Sequence, residues 1–64
     1  EETIRETAMT FAKKAIRYKK VTRLRPMNAY ERRIVHSTLH NMKGVFTVSE
    51  GEEPHRKVVI KPKF

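Results

Sequence analysis

The chain has 64 residues, of which fifteen are lysine or arginine and seven are aspartate or glutamate, giving a formal net charge of +8 at pH 7. A chain of this length forms one small domain with a modest core. It has no cysteine, which excludes disulfides and thiolate metal sites, and it has no apolar run long enough to span a bilayer. The charge favours a polyanionic partner, nucleic acid before lipid headgroups, with solubility alone as the simpler explanation.

The first two predicted elements are a helix and a short strand. Apolar residues recur every three or four positions over residues 3–19, which predicts an amphipathic helix. Residues 21–25 alternate and are rich in strand formers, so we predict a strand there, closed by Pro26. The apolar stripe of the helix comprises Ile4, Ala8, Phe11, Ala15 and Tyr18.

A second helix and a β-hairpin complete the pattern. Asn28 is a typical N-cap and Glu31 its reciprocal partner, which predicts a helix over residues 29–43 that ends at Gly44. The segments VFTVS (45–49) and RKVVIK (56–61) are predicted strands on either side of EGEEP, where Gly51 supplies the turn.

The predicted fold class is α+β, with elements in the order α-β-α-β-β. The helical crossover makes the first two strands parallel, and the hairpin makes the third antiparallel to the second. With the third strand in the middle, the order is 1-3-2, and both helices cover one face of a three-stranded antiparallel sheet in a two-layer sandwich. The predicted core comprises Ile4, Phe11, Leu24, Ile34, Leu39, Phe46, Val58 and Ile60.

The second predicted helix has a basic half. Clustered cations repel one another and are not needed for solubility, whereas arginine suits phosphate and histidine can donate to phosphate or stack on a base. We therefore predict a nucleic-acid surface on this half, against the simpler interpretation of a solvated helix face. At 100° per residue it contains Arg32, Arg33, His36, Ser37, His40 and Lys43.

A metal site and an enzyme active site are the competing interpretations. His36 and His40 have the spacing of zinc ligands, but Ser37 stands where the metalloprotease motif has its glutamate, and cations surround the pair. No serine has an Asp–His constellation, and so small a domain offers little room for a closed active site. We expect no metal, no cofactor and no enzymatic activity.

The open face of the sheet is expected to add further cations, but no aromatic stacking residues. The helical stripe assigns Phe11 and Tyr18 to the core, and the strand assignment places Phe46 there as well. The cations expected on this face are Arg23, Arg25, Lys57 and Lys61.

Two longer stretches carry a resemblance to a known family. Arg32 and His36 lie within PMNAYERRIVH, and SEGEEPHRKVVI follows downstream. The first stretch resembles the signature of the R-x(3)-H domain. Both together resemble the C-terminal domain of the bacterial Jag proteins, the SpoIIIJ-associated family, over essentially the whole chain. The resemblance implies a three-stranded sheet beneath two helices and binding of single-stranded RNA or DNA, with Arg32 and His36 as an exposed pair.

The same resemblance implies a wider context. Jag-type proteins are cytoplasmic RNA-binding proteins, without membrane insertion, that carry a KH domain before this one and partner a separate small KH protein. A fragment is in keeping with a first residue Glu1 that is not methionine. The predicted nucleic-acid contacts are Arg32, Arg33, His36, His40, Lys43 and Arg56.

The alternative function is a protein-docking module that supports an adjacent KH domain or a partner protein. Its surface would comprise Val45, Val59 and the acidic residues 50–53. A docking surface should be insensitive to salt and indifferent to Arg32, whereas a nucleic-acid surface should not. Arg32 has a competing structural role as well, in which it pairs with an acidic side chain of residues 50–53 and holds the hairpin.

Overall fold

The fold is a two-layer α+β sandwich, as predicted. The structure, a computed structural model, describes residues 2–63. The strands form one antiparallel sheet in the order β1-β3-β2, and α1 and α2 share a core with its inner face. Neither helix, over the residues described, is long and apolar enough to cross a membrane. The elements are α1 (Glu2–Tyr18), β1 (Thr22–Arg23), α2 (Ala29–Leu39), β2 (Val45–Glu50) and β3 (Lys57–Pro62).

Alanines let α1 lie close to the rest of the core. Ala8, Ala12 and Ala15 are completely buried, and their spacing of four and three residues places them on one helix face. Small side chains let neighbouring backbones approach closely, so α1 lies close to α2 and the sheet. The other members of the buried cluster are Leu24, Met27, Val35, Leu39, Val45, Val58 and Ile60, with Ile4, Met9, Phe11 and Met42 packed against it.

Two aromatic residues predicted for the core lie at the surface. Tyr18 is 59% exposed and Phe46 is 41% exposed. The register explains Phe46, because Thr47 pairs with the buried Ile60 and directly opposite residues share a face. The face of β2 that points to the helices therefore carries Val45, Thr47 and Ser49, and the predicted parity of this strand was wrong.

α2 is shorter than predicted. It ends at Leu39, because the N–H groups of His40 and Met42 donate to the carbonyls of Ser37 and Leu39, at 3.4 and 3.1 Å, in tighter three-residue turns. Gly44 has the predicted left-handed conformation, with φ of 93°, but it starts the approach to β2 and does not end the helix. The predicted β1 was also too long, although the N–H of Leu24 still donates to Val58 beyond the strand.

α1 ends at a lysine in a conformation that favours glycine. Lys19 has φ of 54°, and the N–H of Lys20 donates to the carbonyl of Ala15 at 3.2 Å. Together these make a Schellman cap in which Lys19 holds the position usually taken by glycine. A left-handed backbone conformation costs a residue with a side chain roughly 1–2 kcal/mol, so Lys19 is less stable at this position than glycine would be.

The buried and exposed apolar residues give the first test of the fold. Leu39→Ala should destabilise the domain by about 2–5 kcal/mol, because Leu39 is 2% exposed and truncation leaves a cavity. Phe46→Ala should cost much less, since its ring already contacts water on the outer face of the sheet. Urea unfolding of both variants measures the difference, and equal losses would contradict the strand register described above.

Candidate nucleic-acid interface

The start of α2 is fixed by a reciprocal cap, as predicted. The Asn28 side chain accepts from the N–H of Glu31 at 2.8 Å, and the Glu31 carboxylate accepts from the N–H of Asn28 at 3.1 Å. Such a cap satisfies two backbone donors that the first turn leaves open. It therefore fixes where the helix begins, and with it the direction in which Arg32 and His36 point.

Arg32 lies inside the structure and not on its surface. It is 8% exposed, and its Nη1 donates to the carbonyl of Met27 at 2.5 Å. Its Nη2 donates to Oε2 of Glu53 at 2.7 Å, across the loop of the β2–β3 hairpin. The prediction that Arg32 is exposed was wrong, and the competing structural role, pairing with the acidic loop, has the geometry that was anticipated for it.

His36 is also engaged with the sheet. Its Nδ1 lies 2.6 Å from Oγ1 of Thr47, and its Nε2 lies 3.0 Å from Oγ of Ser49. Partial burial, and then the neighbouring Arg32 charge, lower the pKa of His36 below its ordinary value of 6.5. The neutral ring is therefore favoured, with one nitrogen donating and the other accepting, and the two hydroxyls can supply the complementary roles. His36 is half-buried and not the exposed member of the pair that was predicted.

Of the other predicted contact residues, three are exposed and one is held within the hairpin loop. Arg33, His40 and Lys43 are exposed, as the basic surface requires. His40 and Lys43 follow the end of α2, so the helical geometry assumed for Lys43 does not apply. Arg56 is half-buried, and its Nη1 donates to the carbonyl of Gly51 at 2.6 Å within the hairpin loop.

A groove lies between the end of α2 and the edge strand β2. Its volume is about 440 Å³, within the range of ligand clefts. Phe46 and Lys63 line it and were absent from the predicted site, because Phe46 was assigned to the core. The sequence signal for the observed orientation of β2 was the alternation of Thr47 and Ser49, two hydroxyl side chains that can form hydrogen bonds with a histidine on α2. The lining residues are His36, Leu39, His40, Val45, Phe46, Thr47 and Lys63.

The outer face of the sheet has three of the predicted cations, Arg23, Lys57 and Lys61, and an aromatic residue that was not predicted there. Phe46 stands opposite Lys61, and Lys57 stands opposite Glu50, which approaches Arg23 to 3.8 Å. The expectation that this face lacks an aromatic side chain was wrong.

The apolar part of the docking surface predicted from the sequence is buried, whereas its acidic part, the loop after β2, is exposed. Val45 is 2% exposed and Val59 is fully buried, so neither can form an apolar docking patch.

Within residues 2–63 no three histidine, aspartate or glutamate side chains come together as a potential metal site. His36 and His40 are therefore joined by no third ligand among the residues described.

The Arg32–Glu53 contact gives a prediction for stability. Arg32→Ala should destabilise the domain by about 1.5–3 kcal/mol, because the charged hydrogen bond to the Met27 carbonyl is lost. Arg32→Lys should recover little, since an ammonium group lacks the planar fork that reaches both acceptors. Urea unfolding at pH 7 measures both variants, and full stability of Arg32→Lys would show that charge alone suffices.

The same contact predicts a dependence on pH. The hydrogen bond from Arg32 lowers the pKa of Glu53 below its ordinary value of 4.5. The stability that the ionised Glu53 carboxylate contributes is therefore complete above pH 4.5. It is lost as the pH falls through the lower pKa that Glu53 has in the folded state. Between about pH 5 and pH 3 the parent should lose more stability than Glu53→Gln. Parallel losses in the two proteins would contradict a role for this carboxylate.

His36 gives a spectroscopic prediction. Its ring should titrate below 6.5 in an NMR experiment, and Arg32→Gln should raise the midpoint, because a neighbouring positive charge is removed. Since folding favours the neutral ring, the stability that His36 contributes is complete above pH 6.5 and falls as the pH drops toward its folded-state pKa. A midpoint at or above 6.5 would contradict the hydrogen-bonded, half-buried ring.

Comparison with known proteins gives the family. The R-x(3)-H domain family matches residues 2–62 of the chain. "RNA-binding protein KhpB" of Clostridium symbiosum is 50% identical over 60 residues, which cover 94% of this chain and 27% of that protein. "RNA-binding protein KhpB" of Lactiplantibacillus plantarum is 40% identical over 58 residues, or 91% of this chain and 18% of that protein. The chain therefore spans 27% of the length of the first of these curated relatives and 18% of the second. With Arg32 and His36 as its Arg-x-x-x-His pair, the chain belongs to the R-x(3)-H domain family.

Proposed function

We propose that this domain binds single-stranded RNA through the groove between α2 and β2. The observation that supports it most directly is the composition of the groove, where His36, His40, Phe46 and Lys63 line one cleft. Aromatic surface for bases beside cations for phosphates is the combination that single-strand-binding proteins use. The relatives named as RNA-binding proteins favour RNA, and single-stranded DNA has the same backbone charge and bases to stack.

The side chains have separate roles in this proposal. Phe46, which is 41% exposed, offers a ring on which a base stacks. His36 contributes part of the wall but few hydrogen bonds, since both of its nitrogens already have hydroxyl partners. Lys43, Lys63 and Arg33 are exposed and contact phosphates, and His40 donates to a phosphate or a base edge at the rim.

Arg32 is a positioning residue in this scheme. It joins the start of α2 to the hairpin loop, and so keeps α2 and β2 at the separation that forms the groove. Arg56 acts within the loop, where it holds the carbonyl of Gly51. Both therefore support binding without contacting the RNA.

The wider context is part of the same proposal. We propose a binding module without enzymatic activity, acting in the cytoplasm together with a preceding KH domain and a small KH-domain partner. The resemblance to the Jag proteins supports this context, and the curated relatives are considerably longer than this chain.

A titration against single-stranded RNA, single-stranded DNA and duplex at two salt concentrations tests the function. About three phosphate contacts should give a slope of log affinity against log salt of about −2 for single strands. Duplex should bind more weakly, since its bases are stacked and cannot reach Phe46. A slope near zero would instead indicate a docking surface for a protein.

A matched pair of variants tests the groove. Lys43→Gln/Lys63→Gln should weaken RNA binding and reduce the magnitude of the slope by about 1.4, which corresponds to two phosphates. Arg25→Gln/Lys57→Gln removes the same charge at the other end of the sheet and serves as the control, because Arg25 follows β1 and Lys57 begins β3. Equal affinities of the two double variants would refute the groove as the binding site.

A further inference from the structure

The C-terminal half of α1 carries a second concentration of positive charge. From residue 7 to residue 30 the chain has seven lysines and arginines and no acidic residue. Among residues 2–63, no carboxylate forms an ion pair with Lys13, Lys14, Arg17, Lys19 or Lys20. These cations stand within eight positions of one another, so they repel each other without local compensation. Neither the fold nor the groove accounts for them.

Aromatic side chains are interleaved with these cations. The Lys14 ammonium lies 5.6 Å from the centre of the Phe11 ring, and the Arg17 guanidinium lies 5.5 Å from the centre of the Tyr18 ring. Each cation covers one ring face, and Tyr18 remains 59% exposed. Thr10, Lys13, Lys14, Arg17 and Tyr18 line a shallow depression of about 260 Å³. We call these five residues and Lys20 the α1 patch.

The α1 patch adjoins one end of the groove. A Cβ atom on Gly44 would lie 3.4 Å from the Ile16 side chain, so the end of α1 packs against the turn that precedes β2. The carbonyl of Gly44 accepts from the N–H of Lys63 at 2.8 Å, which brings Lys63 to the same corner. Lys13 is a neighbour of Ile16 on the helix surface, three residues away, and Lys20 lies in the cap that ends α1. Cations therefore continue from the groove across this corner onto α1.

Lys19 adds an independent observation. It keeps a lysine at the left-handed cap position, where glycine would be more stable. Residues in sparsely populated backbone conformations are held there by the surrounding structure, and they cluster at functional sites. At this position the side chain adds a cation to the end of α1, next to the α1 patch.

We propose that the α1 patch is a second RNA-binding surface, which holds the segment of a single strand that leaves the groove. This rests on the proposed function of the groove and extends it, since one strand would contact two faces of the domain. Charge supplies the attraction to phosphates, and the free face of Tyr18 supplies a stacking platform. A free aromatic face beside cations is the combination that binds single strands, so the α1 patch is assigned to nucleic acid.

Oligouridylates of two lengths separate the two surfaces. The short strand, of about 4 nucleotides, fits the groove alone, and the long strand, of about 16 nucleotides, can cover both, the span of site sizes known for small binding modules. Lys13→Gln/Arg17→Gln should weaken binding of the long strand, reduce the magnitude of its salt slope by about 1.4 and leave the short strand unaffected. Tyr18→Leu should weaken the long strand roughly fivefold or more through lost stacking.

Two controls make the result specific. Arg25→Gln/Lys57→Gln carries the same net charge as Lys13→Gln/Arg17→Gln, so any difference between them reports position and not total charge. Lys19→Gly should raise the melting temperature and yet weaken binding of the long strand, an outcome that unfolding cannot produce. Lys43→Gln/Lys63→Gln should weaken both lengths, which tests the groove separately from the α1 patch.

The proposal is overturned if Lys13→Gln/Arg17→Gln binds the long strand as tightly as Arg25→Gln/Lys57→Gln does. Vesicles containing phosphatidylserine supply the other polyanion that these cations attract. Sedimentation with the vesicles that is lost in Lys13→Gln/Arg17→Gln, with long-strand RNA affinity equal to that of the control, would assign the α1 patch to lipid headgroups instead.

Discussion

The hydrogen bonds of Arg32 hold together the parts of the domain that form the groove. One guanidinium joins the carbonyl of Met27, just before α2, to the carboxylate of Glu53, in the loop of the hairpin. These segments are far apart in sequence, and a backbone hydrogen bond from the N–H of Met27 to the carbonyl of Arg56, at 3.0 Å, links them as well. Because the guanidinium is planar and its N–H groups point in fixed directions, the contact sets the orientation of the hairpin loop relative to α2 as well as their separation. In a domain with so small a core, one such bond can decide how the hairpin sits against the helix.

His36 explains why β2 faces the way it does. An apolar alternation favours Phe46 and Val48 for the core, yet Thr47 and Ser49 face the helices, because their hydroxyls are the partners of the imidazole. A half-buried ring without those partners would carry an uncompensated desolvation cost. The hydrogen bonds of His36 therefore stabilise this orientation of β2 more than burial of the Phe46 ring would stabilise the opposite one. Phe46 is left at the surface beside the groove.

Local chemistry predicted the fold well and the site poorly. The Asn28 cap, the left-handed conformation of Gly44 and the strand order 1-3-2 follow from short-range rules and from the handedness of a crossover. The face assigned to Arg32 was wrong, since helical periodicity reports polarity and cannot tell a solvated guanidinium from one that is buried by its hydrogen bonds to Met27 and Glu53. The end of α2 failed for a related reason, since the turns at His40 and Met42 depend on packing of the following segment. Tertiary partners, absent from any sequence window, decided each of these.

The two arginines of the Arg-Arg pair at positions 32 and 33 show how a basic domain can divide its charge. Arg32 is neutralised by a carboxylate and buried, so it adds little to the field around the protein, whereas Arg33 is exposed. Likewise, the three acidic residues of the hairpin segment, Glu50, Glu52 and Glu53, offset cations at that end of the sheet. The surplus is left on the C-terminal half of α1 and around the turn at Gly44, since residues 7–30 and 32–49 contain no acidic side chain. Net charge attracts a polyanion from any direction, but an uneven distribution of it orients that partner before contact. In the proposed function, repulsion from the acidic hairpin loop therefore directs an RNA strand toward the opposite end of the domain.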